Sequence, residues 1–485
     1  MNTIVTIDPN QVTGDDPAYS PRRLALGVGV SKRNIGYVVV AVLLVAGLVV
    51  AYFALQDPDP GQAAPQPKPV LFTWSDGSEL RPDTASAKLL VEQAKRELDA
   101  AGITADTLSH KGYTVGLTLE RAAQERGERI LNEARQGQPG NLRMALVAVD
   151  PRTGRIVALN GYQAEKAEFD YTRAWQNPGS TFMPFDLVAL LQKGKGLGEV
   201  YDGSSPRAFG KNCGTEGAKC LEVSNTDNNA CGKHCSVARA MELSVNTVFA
   251  DIAYNEVGTL AVARAAIDAG IPPNVGIKKI PLEGEAGVAP NIAIALGGDV
   301  YQARPVDIAS AYATFAANGT KRAPHMVAKV TDPTTNQIVL ANTEAQAAGK
   351  PAFDEDVPDL NAKIARNVTE ALLPAAAKFP CAGNRPCAGK AGVHGCTAVE
   401  GKTKKSDNCA TWMTGYTPQL SASVWLGTDD NSALRDKTGA VLDSTLAAQA
   451  WQKFMNEYLQ GQPVEQFPAY VAIGKSPAEA VIPAR

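Results

Sequence analysis

Ser180 stands three residues ahead of Met183 in the segment NPGSTFMPF, at the start of an apolar, helix-forming stretch. A serine hydroxyl is a poor nucleophile until a neighbouring base takes its proton, and residues three apart on a helix share one face, one turn apart. The slot for such a base is filled by Met183, a thioether that neither accepts a proton nor carries charge. Two further short groups follow in the chain: Ser244-Val245-Asn246, a hydroxyl and an amide two residues apart, and Lys390-Ala391-Gly392, a cation followed by a small residue and a glycine. A hydroxyl without a base beside it, a second hydroxyl, an amide and a cation are groups that nucleophilic chemistry can use when a fold brings them together. Each group alone has an ordinary reading. Ser180 after Pro178-Gly179 suits a helix cap, Met183 suits a core, Ser244 and Asn246 suit a helix boundary, and Lys390 suits a solvated strand.

Order and surroundings make the set specific. The three groups stand where Ser-x-x-Lys, Ser-x-Asn and Lys-Thr-Gly signatures stand in active-serine transpeptidases and β-lactamases. TLERAAQERGERIL and ALVAVDPRTGRIVAL lie upstream, and AGKAG precedes the pair TGYTP and VWLG. From about Val70 to Tyr458 the chain resembles the transpeptidase half of class A penicillin-binding proteins. The resemblance implies Ser180 as the nucleophile position, Met183 in place of the base lysine, Ser244 as proton relay, Asn246 as a substrate-holding amide and Lys390 as positive charge in the cleft. It places Ala391 where a hydroxyl helps bind the substrate carboxylate, and Gly392 and Val393 on the substrate-binding strand. The oxyanion hole would be the backbone N–H groups of Ser180 and Val393, which survive changes of side chain. Losing general-base help costs about 10²–10⁴ in rate, so acylation by peptide or penicillin should be severely slowed. The implied partners are peptidoglycan stem peptides, β-lactams and cell-wall synthesis proteins, with no cofactor and no metal. A class A protein also carries a glycosyltransferase domain after its anchor, but only a few dozen residues separate Leu55 from Tyr113, so no such domain is expected between them.

Three readings compete at the centre: a weakly catalytic or non-catalytic binding homologue, a working DD-transpeptidase or DD-carboxypeptidase with an unconventional base such as Lys390 or His394, and a β-lactam or muropeptide sensor. Lys193 and Lys195 lie several turns past Ser180. Lys437-Thr438-Gly439 matches the third signature letter for letter, but it follows the VWLG strand and reads as a surface loop.

These groups need a scaffold outside the cytoplasm. Ile35 to Leu55 is an uncharged apolar run of bilayer-spanning length. Arg22, Arg23, Lys32 and Arg33 before it, with Asp57 and Asp59 after, predict a cytoplasmic N-terminus and a single-pass type II anchor. Residues 1–34 read as a disordered tail and 56–69 as a Pro-rich linker. All 8 cysteines follow the span, in the oxidising compartment the topology implies. Short loops suggest Cys213 with Cys220, Cys231 with Cys235, Cys381 with Cys387 and Cys396 with Cys409, although spacing alone leaves connectivity open. Zinc is the competing reading, since Cys231 and Cys235 flank His234. The formal net charge of −3 gives no support to nucleic-acid binding.

Periodicity predicts helices over Thr84–Ala101, about Leu119–Arg135 and about Leu442–Gly461, and a strand over Tyr113–Thr118. A hairpin is expected around Asp150-Pro151-Arg152-Thr153-Gly154. A largely helical middle runs from Ser180 to Asn318, and Ala388 to Thr428 is strand-rich. The expected fold is α+β: a mixed sheet flanked by helices, plus an all-helical subdomain. The expected organisation is a short module at 70–112, a transpeptidase-like domain at 113–460 and a loosely structured tail at 461–485.

Overall fold

A computed structural model describes residues 67–480 apart from 162–168, 211–212, 214–219, 227–230, 286–287, 343–347 and 397–406. The expected tail and membrane span, and most of the linker, lie outside the described residues. Among the described residues no helix is long and apolar enough to cross a membrane.

The chain enters through strand β1 (Leu71–Thr73) and helix α1 (Ala85–Ala100), whose N-cap Thr84 accepts from Ala87 N at 3.1 Å. Helix α2 (Ala105–Lys111) follows, capped by Thr104 and stopped by Gly112 in the left-handed conformation. Then come β2 (Thr114–Leu117), α3 (Arg121–Arg135) and the hairpin β3 (Leu142–Val149) and β4 (Ile156–Asn160). The hairpin turn forms as expected, with Arg152 N on Asp150 Oδ1 at 2.8 Å and Gly154 at φ +78°.

The middle carries α4 (Met183–Gln192), α5 (Val237–Leu243), α6 (Asn246–Asp251), α7 (Thr259–Ala269) and α8 (Pro305–Ala316). It is not all-helical: strand pairs two or three residues long are interspersed. Beyond it lie β5 (Val327–Asp332), β6 (Gln337–Ala341) and the long helix α9 (Pro358–Ala376). The site strand β7 (Ala388–Gly395), β8 (Asn408–Tyr416), β9 (Ser421–Thr428) and α10 (Thr445–Tyr458) complete the fold.

The main sheet has the order β7-β8-β9-β3-β4. It was expected to be mixed, yet every pairing in it is antiparallel. Parallel pairing occurs instead between β1 and β2, in the smaller sheet β1-β2-β5-β6. That sheet joins the 70–112 segment to strands far along the chain.

Strand β3 is buried throughout, and its period of two sorts its side chains between two cores. Leu142, Met144, Leu146 and Ala148 pack with α3 and α10, whereas Val147 and Val149 pack with α1 and α8. A third core, built by α4, α5, α7 and α9, takes Trp412 and Trp425 from the main sheet. All four expected disulfides form, and Cys231–Cys235 occupies the thiols that the zinc reading required.

The described part of the last segment, 461–480, lacks long elements but is not loose. Asn367 of α9 donates to Val471 O at 2.8 Å and accepts from Ile473 N at 3.2 Å, and Gly198 N donates to Lys475 O at 2.8 Å. Gly196 and Gly198 make this approach possible, since a Cβ on either would lie about 2 Å from a carbonyl oxygen of the strap.

Asp186 sits in the first turn of α4, fully buried, with neither carboxyl oxygen hydrogen-bonded. Burial pushes its carboxyl well above the usual range. The folded state therefore holds a proton that the unfolded chain releases near pH 4, and stability falls as pH rises through the folded value. Asp186→Asn, which cannot ionise, should gain on the native chain in urea unfolding as pH rises above about 4, by at most about 1.4 kcal/mol per pH unit, until the folded carboxyl itself ionises. Parallel pH profiles would show that Asp186 ionises inside the fold.

Candidate active site

Ser180 lies on a single 3₁₀ turn, Gly179–Phe182, that feeds directly into α4. It is half-buried, and among the described residues no group hydrogen-bonds its hydroxyl. Met183, the first residue of α4, is fully buried in the helical core, so the position one turn beyond the serine faces aliphatic and aromatic neighbours.

The turn is fixed from three directions, by residues that the sequence reading did not single out. Tyr312 Oη of α8 donates to Thr181 O at 2.8 Å. Trp412 Nε1 of β8 donates to Asn177 O at 2.9 Å, and Asn177 Nδ2 donates to Asp299 O at 2.8 Å. Gly179 N donates to Gly297 O at 3.1 Å.

Strand β7, an edge of the main sheet, comes up against this turn at two glycines. A Cβ on Gly392 would lie 2.6 Å from Pro178 O, and one on Gly179, at φ +56°, would lie 2.3 Å from Val393 O. Only residues without side chains permit that approach. It brings the backbone of Val393 beside that of Gly179 and Ser180, the two stretches expected to supply the oxyanion donors.

Lys390 lies two residues before Gly392, hence on the same face of the strand and about 6.7 Å along it. Its side chain is 1% exposed. The amine donates to Ser244 Oγ and, at 3.0 Å, to Ala391 O. Burial pushes the Lys390 amine down to about 7, because low dielectric disfavours the charged form. Ser244 caps α5 in the left-handed conformation, φ 56°, which turns the chain so that Asn246 can start α6. The Asn246 amide donates to Ser224 O at 2.9 Å. The second and third groups are thus joined by a hydrogen bond, and the third abuts the first.

The other expected residues divide. Ala391 is half-buried and packs towards the α3 and α10 core, while Val393 is exposed. The His394 ring neighbours Gly298. Burial holds it below its ordinary value against the opposing pull of Asp299, and it makes no hydrogen bond to Ser180. Lys193 and Lys195 both engage Glu256 at the far end of α4. Thr438 of the second Lys-Thr-Gly sits in an exposed turn on Asp436, with its N–H at 2.8 Å from Oδ1, away from the serine turn.

A family model described as penicillin binding protein transpeptidase domain matches residues 144–444. Penicillin-binding protein 1A of Mycolicibacterium smegmatis is 35% identical over 391 residues, covering 80% of this chain and 46% of that protein. The chain therefore spans about half the length of the curated relatives it matches. Among solved structures, the penicillin-binding protein PonA1 from Mycobacterium tuberculosis superposes with a TM-score of 0.70 at 32% identity, over 82% of this chain and 97% of that one. The PonA1 protein in complex with penicillin V gives the same TM-score of 0.70 at 31% identity, over 83% and 100%.

Proposed function

Because this chain belongs to the penicillin-binding-protein transpeptidase family, we propose that it is an anchored, extracytoplasmic protein of bacterial peptidoglycan synthesis that binds stem-peptide acyl donors and β-lactams and is acylated only slowly. The observation that carries this reading is Met183, buried in the base position one turn from Ser180 while the surrounding frame stays assembled. Support for β-lactam recognition comes from the PonA1 complex with penicillin V. The anchor is residues 35–55, type II.

In the proposed reaction, Ser180 Oγ attacks the donor carbonyl, the backbone N–H groups of Ser180 and Val393 receive the developing oxyanion, and the amine of the donor leaves. The Ser180 proton must end on the departing nitrogen, and with Met183 in the base position the transfer lacks its nearest carrier. Asn246 holds the donor and Lys390 supplies positive charge behind Ser244, so binding outlasts fast chemistry and the protein serves mainly as a binding or scaffolding component of cell-wall assembly.

One observation favours a second reading. The Lys390 amine, poised near neutrality and bonded to Ser244, is a base that Ser180 can reach through the Ser244 hydroxyl. On this reading the chain is a working DD-transpeptidase or DD-carboxypeptidase with a relocated base.

Incubation of the full chain with a fluorescent penicillin, followed by intact-mass measurement, separates the two. We expect stoichiometric adduct on Ser180 to accumulate about 10²–10⁴ times more slowly than in a relative with the base lysine, and not at all in Ser180→Ala. Labelling at the relative's rate would overturn slow acylation and establish the second reading.

A further inference from the structure

A cavity of about 770 Å³ lies between α1 and the 169–175 segment, with Arg304 in its lining and none of the residues of the Ser180 site. Its charges are not balanced internally. Arg304 is taken by Asp307, at 2.7 and 2.6 Å, and by the face of Trp175, 4.9 Å from the ring centre. Arg96 and Arg173 have no hydrogen bond or ion pair from their side chains among the described residues. Partial desolvation, then repulsion from Arg304 and Arg96, holds the Arg173 guanidinium below its ordinary value despite Asp170 and Asp307, although the residue is exposed at the rim of the cavity. Like charges gathered along one lining make the local potential positive, which favours a bound anion.

Two of the cavity's lining residues also carry unsatisfied polar atoms just beneath its surface. Gln93, 4% exposed, has its Oε1 buried without a partner. Asp170 accepts from Thr172 N and Oγ1 through one carboxyl oxygen, while the other is buried and unpartnered. Both are acceptors, and buried acceptors left unpaired are costly. A ligand that fits must bring an anion for the arginines, N–H donors for Gln93 and Asp170, and an apolar body for Trp175 and the half-exposed ring of Phe169. Two lining carboxylates, Glu92 and Asp170, disfavour a dianion.

We infer that this cavity is a binding site for a short peptide with a free carboxylate, distinct from the Ser180 cleft. Guanidinium forks match a carboxylate in two parallel hydrogen bonds, peptide N–H groups satisfy the two orphan acceptors, and the side chain lies on the aromatic faces. The site does not depend on whether Ser180 is acylated.

The full chain in detergent is titrated with three probes: an L-configured N-acetylated dipeptide with a free carboxylate, its C-terminal amide, and inorganic phosphate. Trp175 supplies a fluorescence signal, checked by calorimetry. The acid should bind at least about tenfold more tightly than the amide, and phosphate weakly. Arg96→Ala and Arg173→Ala should each weaken the acid about tenfold while leaving Tm unchanged or slightly raised, because each relieves repulsion. Ser180→Ala should bind the acid like the native chain. Equal binding of acid and amide, tighter binding of phosphate, absence of any binding, or a lowered Tm in both arginine variants would overturn the assignment.

Discussion

Met183→Lys raises the rate of Ser180 labelling by a fluorescent penicillin by about 10²–10⁴-fold. The expectation rests on how much of the frame is already built. Tyr312, Trp412, Asn177 and Gly297 hold the 3₁₀ turn, and Gly392 and Gly179 let β7 close against it. Side chains on a helix lean towards its N-terminus, so a lysine at 183 points back at the turn that carries Ser180. The buried Asp186 carboxyl lies one turn further on and leans towards position 183 by the same rule. It complicates the outcome in a readable way. An amine beside an unpartnered carboxyl forms an ion pair and stays protonated, and a protonated amine is no base. The single variant should therefore fall at the low end of the range, and Met183→Lys combined with Asp186→Asn should reach the high end. Equal labelling of native, single and double variants, with Tm preserved, would show that the missing amine does not limit acylation.

The parts of the fold that were legible are those whose signal is local or carried by order along the chain. The hairpin at Asp150–Gly154 declares itself through a turn glycine and two apolar runs. The four disulfides close loops short enough for adjacent cysteines to meet. The family was legible from three weak groups because their order and flanking strands recur together, and the match over residues 144–444 agrees with that resemblance.

What stayed hidden is non-local. Helix α9 carries a regular signal, Pro358 and Asp359 at its start with Ile364, Ala365, Val368, Ala371 and Leu372 on its buried face, but it falls between the stretches that the motifs drew attention to. The strap beyond 461 has a composition that reads as loose, and its order comes from Asn367 and from Gly196 and Gly198, more than a hundred residues away. The antiparallel register of the main sheet follows from which distant strands meet. The lowered titration of Lys390 is likewise a property of burial, which no run of letters along the chain announces.

That burial makes Lys390 the second position of large effect. If Ser180 loses its proton through Ser244 to the neutral Lys390 amine, labelling of the native chain must follow the deprotonated fraction of a group near pH 7. It should rise about tenfold between pH 6 and pH 8 and then level off. Lys390→Met removes the acceptor and should cost at least about 10² in labelling rate and abolish the pH dependence. Stability moves the opposite way. An ordinary lysine in the unfolded chain keeps its proton to 10.5, so between pH 7 and 10.5 the unfolded state binds more protons than the folded one, and native stability rises with pH across that window. Below pH 7 the penalty for the buried charge is fully present, on the order of 5 kcal/mol. Lys390→Met escapes it and should be the more stable protein at pH 6, by an amount that shrinks as pH rises. A variant that is slower yet more stable separates a chemical role for the amine from a structural one. Labelling that ignores pH between 6 and 8, or that survives Lys390→Met unchanged, would remove Lys390 from the reaction and leave Ser180 without a base.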